Sequence, residues 1–290
     1  MIFDDYQKIA TIYERDPKTK ALKKGEYYGP LASYLKYLEN LIWIWTEKID
    51  GTNTGINWDG HSISYQGRTE AADFTPLMKD YLDSLFAGED MAQIFEQKFG
   101  EKKVTIYGEL YGRDIQKVGH LYSETYRFIV FDVKINGFYL ARKNVEDVAS
   151  YLGLDVVPIV GQGTLNEAVK FVLHNPDSFV NPKAPLEGIV ARPMIDVYTN
   201  KGERVMVKIK RRDFGIIILK KNVRYLSAET GQYVDIKTDD GRYYFVHVDD
   251  LGPEMGDERY LKSLYVNEYD ENGNWNKKSK RLGSFISTFD

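Results

Sequence analysis

Lys48 stands in the run Thr46-Glu47-Lys48-Ile49-Asp50-Gly51-Thr52-Asn53, among residue types that can make a lysine chemically useful. The stretch before it, Leu41-Ile42-Trp43-Ile44-Trp45, is bulky and favours a strand, and Asp50-Gly51 signals a tight hairpin turn. A lysine at such a strand end faces a groove, where an unprotonated amine can act as a nucleophile. Lysines beside Asp-Gly turns are also ordinary solvated edge residues. Partners for a phosphate, a metal and a base elsewhere in the chain decide between the two readings.

Four further segments offer such partners. In Val104-Thr105-Ile106-Tyr107-Gly108-Glu109-Leu110, alternation puts Val104, Ile106 and Leu110 on one face and Tyr107, Glu109 and Tyr111 on the other. Glu109 then lies on a polar and aromatic wall, where its carboxylate could hold ribose hydroxyls. Phe128 and Phe131 offer flat rings that could stack on a purine, although read alone both are core residues. Asp132, an acid in an otherwise apolar strand, must end the burial or find a partner. Glu187, just before the apolar run Gly188-Ile189-Val190-Ala191, suits Mg²⁺ directly or through water, because that ion prefers oxygen ligands and keeps much of its hydration. In Val205-Met206-Val207-Lys208-Ile209-Lys210, period two sets Lys208 and Lys210 on one face as a phosphate clamp.

Strands and turns must aim these groups. The patterning predicts a helix near Leu31 to Leu38 and strands over 41–66 with turns at Asp50-Gly51 and Asp59-Gly60. A helical stretch from Phe74 to Gly100 follows, with the stripe Leu77, Met78, Tyr81, Leu82, Leu85 and Phe86. Strands over 104–110, 128–135 and 138–141, helices over 144–152 and 165–173, and strands over 188–192 and 204–209 complete a first unit. From Asn222 onward the chain is rich in strands and turns, with a hairpin signal at Glu271-Asn272-Gly273-Asn274. The chain thus reads as a unit over 1–215 and a small β-rich unit over 216–290.

The 290 residues are 43% hydrophobic and 28% charged, the balance of a soluble globular protein. No apolar run is long enough to cross a bilayer, and the acidic start Met1-Ile2-Phe3-Asp4-Asp5 lacks a signal core, so a cytoplasmic location is expected. The absence of cysteine excludes disulfides, thiolate zinc sites and a cysteine nucleophile. His61, His120, His174 and His247 show no metal spacing. The net charge of −4 argues against a passive nucleic-acid coat, yet positive charge gathers in Lys208-Ile209-Lys210-Arg211-Arg212, Lys220-Lys221 and Lys277-Lys278-Ser279-Lys280-Arg281.

In order and spacing, the segments TEKIDGTN, TIYGELYG, FIVFDV, EGIVAR and VKIK between residues 46 and 210 resemble the five motifs of the covalent nucleotidyltransferase superfamily of DNA ligases, RNA ligases and mRNA-capping enzymes. DNA ligases and capping enzymes typically carry arginine where this chain has Asn53. In that position, and at Gly67-Arg68-Thr69, the chain is similar to the RNA ligase branch typified by the second RNA ligase of phage T4 and the trypanosome editing ligases. The resemblance implies an α+β fold, with an ATP-grasp-like adenylyltransferase domain of mostly antiparallel sheets and flanking helices over 1–215. It also implies a β-rich domain over 216–290 that contacts nucleic acid, which in DNA ligases and capping enzymes is an oligonucleotide-binding (OB) barrel.

By the same resemblance Lys48 would be the residue adenylylated by ATP, with Asn53 and Arg68 near ribose and phosphates or the nucleic-acid 5′-phosphate. Glu109 would bind ribose, Phe131 would stack on adenine, Glu187 would position Mg²⁺ or Mn²⁺ or its waters, and Lys208 and Lys210 would contact the α-phosphate. Asp50 and Asp132 match the pattern without an assigned role. The metal and the Lys208/Lys210 pair are expected to lower the Lys48 pKa from the ordinary value of about 10.4. The implied activity is ATP-dependent joining of 5′-phosphate and 3′-hydroxyl ends through lysyl-AMP and an adenylylated 5′ end. RNA ends are favoured, the protein would act as a monomer, and a viral or phage source is compatible. An ATP-dependent DNA ligase is the nearest alternative and a non-catalytic nucleic-acid-binding module a more distant one. Asn53 disfavours a capping guanylyltransferase, and the short first forty residues disfavour an NAD-dependent ligase.

Overall fold

Three short strands, β1 (Ala10–Thr11), β2 (Tyr13–Arg15) and β3 (Leu22–Tyr27), lead into helix α1 (Ala32–Leu38). The computed structural model describes residues 3–18, 22–67, 74–175 and 177–214, and the backbone of strands between 223 and 288. Next come β4 (Trp43–Lys48), β5 (Thr52–Trp58), β6 (Ile63–Gln66), α2 (Pro76–Phe86) and α3 (Glu89–Phe99). The long helical stretch expected from Phe74 is therefore two helices, parted at Gly88, whose φ of 121° lies outside the helical region. Strand β7 (Val104–Tyr111), the short helix α4 (Gly119–Tyr122), β8 (Arg127–Ile135), β9 (Phe138–Tyr139) and α5 (Arg142–Tyr151) follow. The unit ends with β10 (Asp155–Val156), β11 (Ile159–Gly163), α6 (Leu165–His174), β12 (Gly188–Pro193) and β13 (Val207–Lys210). Helix α6 starts with a capping box: Thr164 Oγ1 accepts from Glu167 N, and Glu167 Oε2 accepts from Thr164 N.

Two sheets result. The first has the order β1-β13-β12-β4-β11; the second has β10-β8-β7-β5-β6, with β9 on β8. Pairing is antiparallel except for β1 with β13 and β10 with β8. The architecture is mixed helix and sheet with mostly antiparallel strands, as expected. Because β4 and β5 belong to different sheets, Asp50-Gly51 is a crossing point and not the hairpin that its composition suggests. The true hairpin is at Asp59-Gly60, where Asp59 Oδ1 accepts from the amides of His61 and Ser62 at 2.9 and 2.7 Å.

Each sheet buries one face under helices. Trp43, Trp45, Ile189, Ala191, Val207 and Ile209 pack with Leu35 of α1 and Leu165, Ala168 and Val172 of α6. Ile56, Trp58, Val104, Ile106, Leu110, Phe128 and Val130 pack with Leu82 and Phe86 of α2, Phe95 and Phe99 of α3 and Val145 and Val148 of α5. Leu77 leaves the expected stripe and is 51% exposed. Ile49, Tyr111, Tyr122, Ile129, Val157 and Ala184 form a smaller third cluster.

In the last third, β14 (Val223–Arg224), β15 (Tyr233–Lys237), β16 (Tyr243–His247), β17 (Leu251–Met255), β18 (Glu258–Leu261), β19 (Leu264–Tyr269), β20 (Trp275–Leu282) and β21 (Ile286–Thr288) are strands. They form a sheet ordered β14-β15-β16-β19-β20 and another ordered β17-β18-β21. The boundary expected at 215/216 and the turn at 271–274 lie outside the described residues.

Candidate active site

In the first sheet β12 lies between β4 and β13, and its register aligns Lys48, Gly188 and Lys210 in one row and Thr46, Val190 and Lys208 in the next. The neighbours in each strand point into the helix-packed core, so Lys48, Lys208 and Lys210 share the opposite face. Gly188 leaves room in the middle of the row: a Cβ there would collide with the Ile209 carbonyl oxygen and lie 2.8 Å from Lys210 Cα. Glu187, one residue earlier, joins the two lysines. Its Oε2 accepts from Lys48 Nζ at 2.8 Å and its Oε1 from Lys210 Nζ. The loop carrying Glu187 is tied down by Tyr122, whose hydroxyl donates to Pro185 O, and by the buried Glu47, which accepts from the amides of Phe179 and Val180.

The second sheet supplies the facing wall. Asn53 of β5 stands directly opposite Glu109 of β7. Gly51 lets this strand pair come close to the end of β4, since a Cβ there would lie 2.8 Å from Glu109 Cγ. Between β7 and β8 the register shifts: Tyr107 pairs with Asp132, but Gly108 pairs with Val130. Phe131 is the extra residue of a bulge, so Phe131 and Asp132 lie on the same side while Val130 and Val133 both enter the core. The two phenylalanines thereby separate, Phe128 into the core and Phe131 onto the cavity wall. Asp132 resolves its anomaly by finding partners: it pairs with the buried Arg204 and accepts from the Tyr6 hydroxyl at 2.9 Å.

Lys48, Asp50, Asn53, Glu109, Phe131, Asp132, Glu187, Lys208 and Lys210 all line one cavity of about 450 Å³, a size suited to a small-molecule ligand. Arg68, also expected here, lies outside the described residues. Burial by itself would lower the Lys48 pKa, but the carboxylates of Glu109, Glu187 and Asp50 outweigh it and hold the ammonium above its ordinary value. Among the chain's own charges the acids around Lys48 therefore outweigh Lys208 and Lys210, the part of the expected lowering that did not rest on a metal ion. Glu109 is pushed up to about 7, chiefly by burial, with Lys48 opposing and Glu187 and Asp50 adding to the shift. Among the described residues no three acidic or histidine side chains gather into a metal-binding group.

The cavity also takes in Tyr6, Gln7, Gln116, Arg142 and Met206, which lie outside the motif segments, and Thr46 and Arg192, which lie within them but were given no role. Thr46 and Arg192 follow from period two once the pocket face of β4 and β12 is known. Arg142 donates to Val157 O at 2.7 Å and reaches the cavity from the start of α5, for which nothing in the local sequence gives notice. Arg211, within the basic run after Lys208, turns inward and donates to the carbonyls of Val172, Leu173 and Asn175 at the end of α6.

A family model described as RNA ligase matches residues 41–210. Similar solved structures include the RNA ligase of Naegleria gruberi. An apo mutant of it is 18% identical over 62% of this chain and 52% of that one, with a TM-score of 0.48. Its form with pyrophosphate is 18% identical over 71% and 61%, with a TM-score of 0.48. A mutant with AMP and Mn is 16% identical over 70% and 60%, with a TM-score of 0.49. The chain thus spans between about half and three fifths of the length of these ligases. No curated relative matches it. No described helix is long and apolar enough to cross a membrane.

Proposed function

Because the chain belongs to the RNA ligase family, we propose that it is an ATP-dependent RNA ligase that joins 5′-phosphate to 3′-hydroxyl ends. The carrying observation is Glu187 bridging Lys48 and Lys210 opposite Glu109 and Phe131 in one cavity. In the first step the Lys48 amine, having lost its proton, forms a bond to the α-phosphorus of ATP, and the bond to pyrophosphate breaks. Lys208 and Lys210 offset the charge on the phosphate oxygens. In the second step a 5′-phosphate oxygen takes the AMP from Lys48, giving a 5′-5′ pyrophosphate linkage. In the third the 3′-hydroxyl bonds to the 5′-phosphorus and AMP leaves.

The remaining wall residues bind and orient. Glu109 and Asn53 hold the ribose, Phe131 stacks on adenine, and Asp50 adds negative charge beside Lys48. Asp132 acts through Arg204 as a structural anchor. The acidic donors Glu187, Glu109 and Asp50 do not converge as a complete ligand set, which fits a Mg²⁺ or Mn²⁺ ion that keeps water and shares the substrate phosphates. Such an ion would neutralise phosphate charge when bound, and Glu187, each of whose oxygens accepts from one lysine, keeps lone pairs that could hold the ion or its water. We assign this chemistry to an ATP-grasp-like domain over 1–215 and nucleic-acid contacts to 216–290, in a monomer. Sealing of matched nicks that differ only in an RNA or DNA 3′-hydroxyl strand tests the substrate. Preferential sealing of the RNA end is expected, and preference for the DNA end would overturn the proposal.

A further inference from the structure

We propose that Tyr6 is a positioning residue that holds the Phe131 ring for the nucleobase, an inference that rests on the reading of Phe131 as the stacking side chain. Tyr6 meets Phe131 edge-on, with centroids 4.9 Å apart and planes at 66°, and lies 5.0 Å from the Tyr107 ring. Its hydroxyl donates to Asp132 Oδ2 at 2.9 Å and accepts from Arg204 Nη2 at 3.2 Å. Asp132 and Arg204 are an ion pair only 1% and 2% exposed. The backbone around Tyr6 is fixed as well. Asp4 O accepts from the Tyr107 hydroxyl at 2.8 Å, and Gln7 exchanges two hydrogen bonds with the Arg204 backbone at 2.9 and 3.1 Å.

Tyr107 and Asp132 belong to the second sheet, and Arg204 leads into β13 of the first, so residues 4–7 strap the two sheets together along the cavity they enclose. Tyr6 and Gln7 also line that cavity. Phe131 is a bulge residue without a regular cross-strand partner, and packing against a locked neighbour is what can fix its ring plane. A tyrosine in this place supplies both the ring contact and the hydroxyl that joins the strap to the buried pair.

The test compares the affinities of the full chain for ATP and for pyrophosphate, which lacks the base. In Tyr6→Leu the ATP Kd should rise about tenfold while the pyrophosphate Kd stays within about twofold. The double variant Tyr6→Leu/Phe131→Leu should bind ATP no more weakly than Phe131→Leu alone. Equal loss for ATP and pyrophosphate, or additive losses in the double variant, would overturn the proposal. Unchanged ATP affinity in Phe131→Leu would overturn the stacking reading, and the proposal with it. Loss in Phe131→Leu but not in Tyr6→Leu would overturn the proposal alone. If Tyr6→Leu does not fold, Tyr6→Phe keeps the ring and loses the hydroxyl bonds. The ratio of its ATP to pyrophosphate Kd should rise about threefold, and an unchanged ratio counts against the role.

Discussion

Lys48 is chemically poised by acids as much as by bases. Burial alone would lower its pKa, but the carboxylates of Glu109, Glu187 and Asp50 hold it above the ordinary lysine value, so the ammonium form dominates at neutral pH. Single-turnover formation of lysyl-AMP should therefore rise about tenfold per pH unit between about pH 6.5 and 9; a flat profile would contradict this. Glu187→Gln removes one of the carboxylates that hold the ammonium and should shift that profile to lower pH even if the maximum rate falls. Glu109 has its own signature. Its folded pKa of about 7 exceeds the ordinary 4.5, so the folded chain binds the proton more tightly. Its contribution to stability is therefore lost as pH rises from about 4.5 to about 7. Thermal melts should show Glu109→Gln more stable relative to the parent at pH 8 than at pH 5, and an equal difference at both would rule out the assigned shift. That Glu109 lies on a polar face and that Lys208 and Lys210 share one face was legible from spacing, and all three line the cavity with Lys48 and Glu187. The direction of the Lys48 shift was not legible, because it depends on which carboxylates the fold brings nearest.

At the level of strands, alternation read correctly wherever pairing is regular. It placed Ile106 and Leu110 in the core and Glu109 on the cavity, and it put Lys208 and Lys210 on one face. It could not foresee the bulge, since one extra residue in β8 is set by pairing with β7 and leaves no local mark. Strict alternation would place Phe131 and Asp132 on opposite faces; the bulge puts both on the same face. Asp50-Gly51 misled for a related reason. A turn dipeptide specifies a sharp change of direction, and tertiary context decides whether the next strand returns beside the last or crosses to another sheet. Gly188 is the element-scale test. Gly188→Ala should cost about 1–3 kcal/mol in denaturant unfolding through overpacking against β13, and should slow lysyl-AMP formation by forcing Lys48 and Lys210 apart. A variant with parental stability would refute the tight approach of β12 and β13.

For the molecule as a whole, two sheets that each bury one face under helices leave inner faces to enclose a site, and long-range ties keep them in register. The Asp132–Arg204 pair is such a tie, linking residues far apart in sequence. Breaking it with Arg204→Met should cost about 3–5 kcal/mol, whereas Asp132→Leu with Arg204→Met should recover much of that loss, because no unpaired buried charge remains. Urea unfolding of the three proteins distinguishes this from simple loss of packing, in which the double variant would be worse than the single one. The partnership was not legible in the sequence: Asp132 showed only that it needed a partner, and Arg204 sits in a segment with no motif. If residues 1–215 carry the nucleotide chemistry, a chain ending there should still form lysyl-AMP but join ends poorly; loss of both activities would contradict that division of labour. The central claim, that Lys48 is the residue carrying AMP, is tested most directly by peptide mass mapping after incubation with ATP and Mg²⁺ or Mn²⁺. We expect an AMP adduct on the peptide bearing Lys48, absent in Lys48→Ala; no adduct, or an adduct that persists in Lys48→Ala, would contradict it.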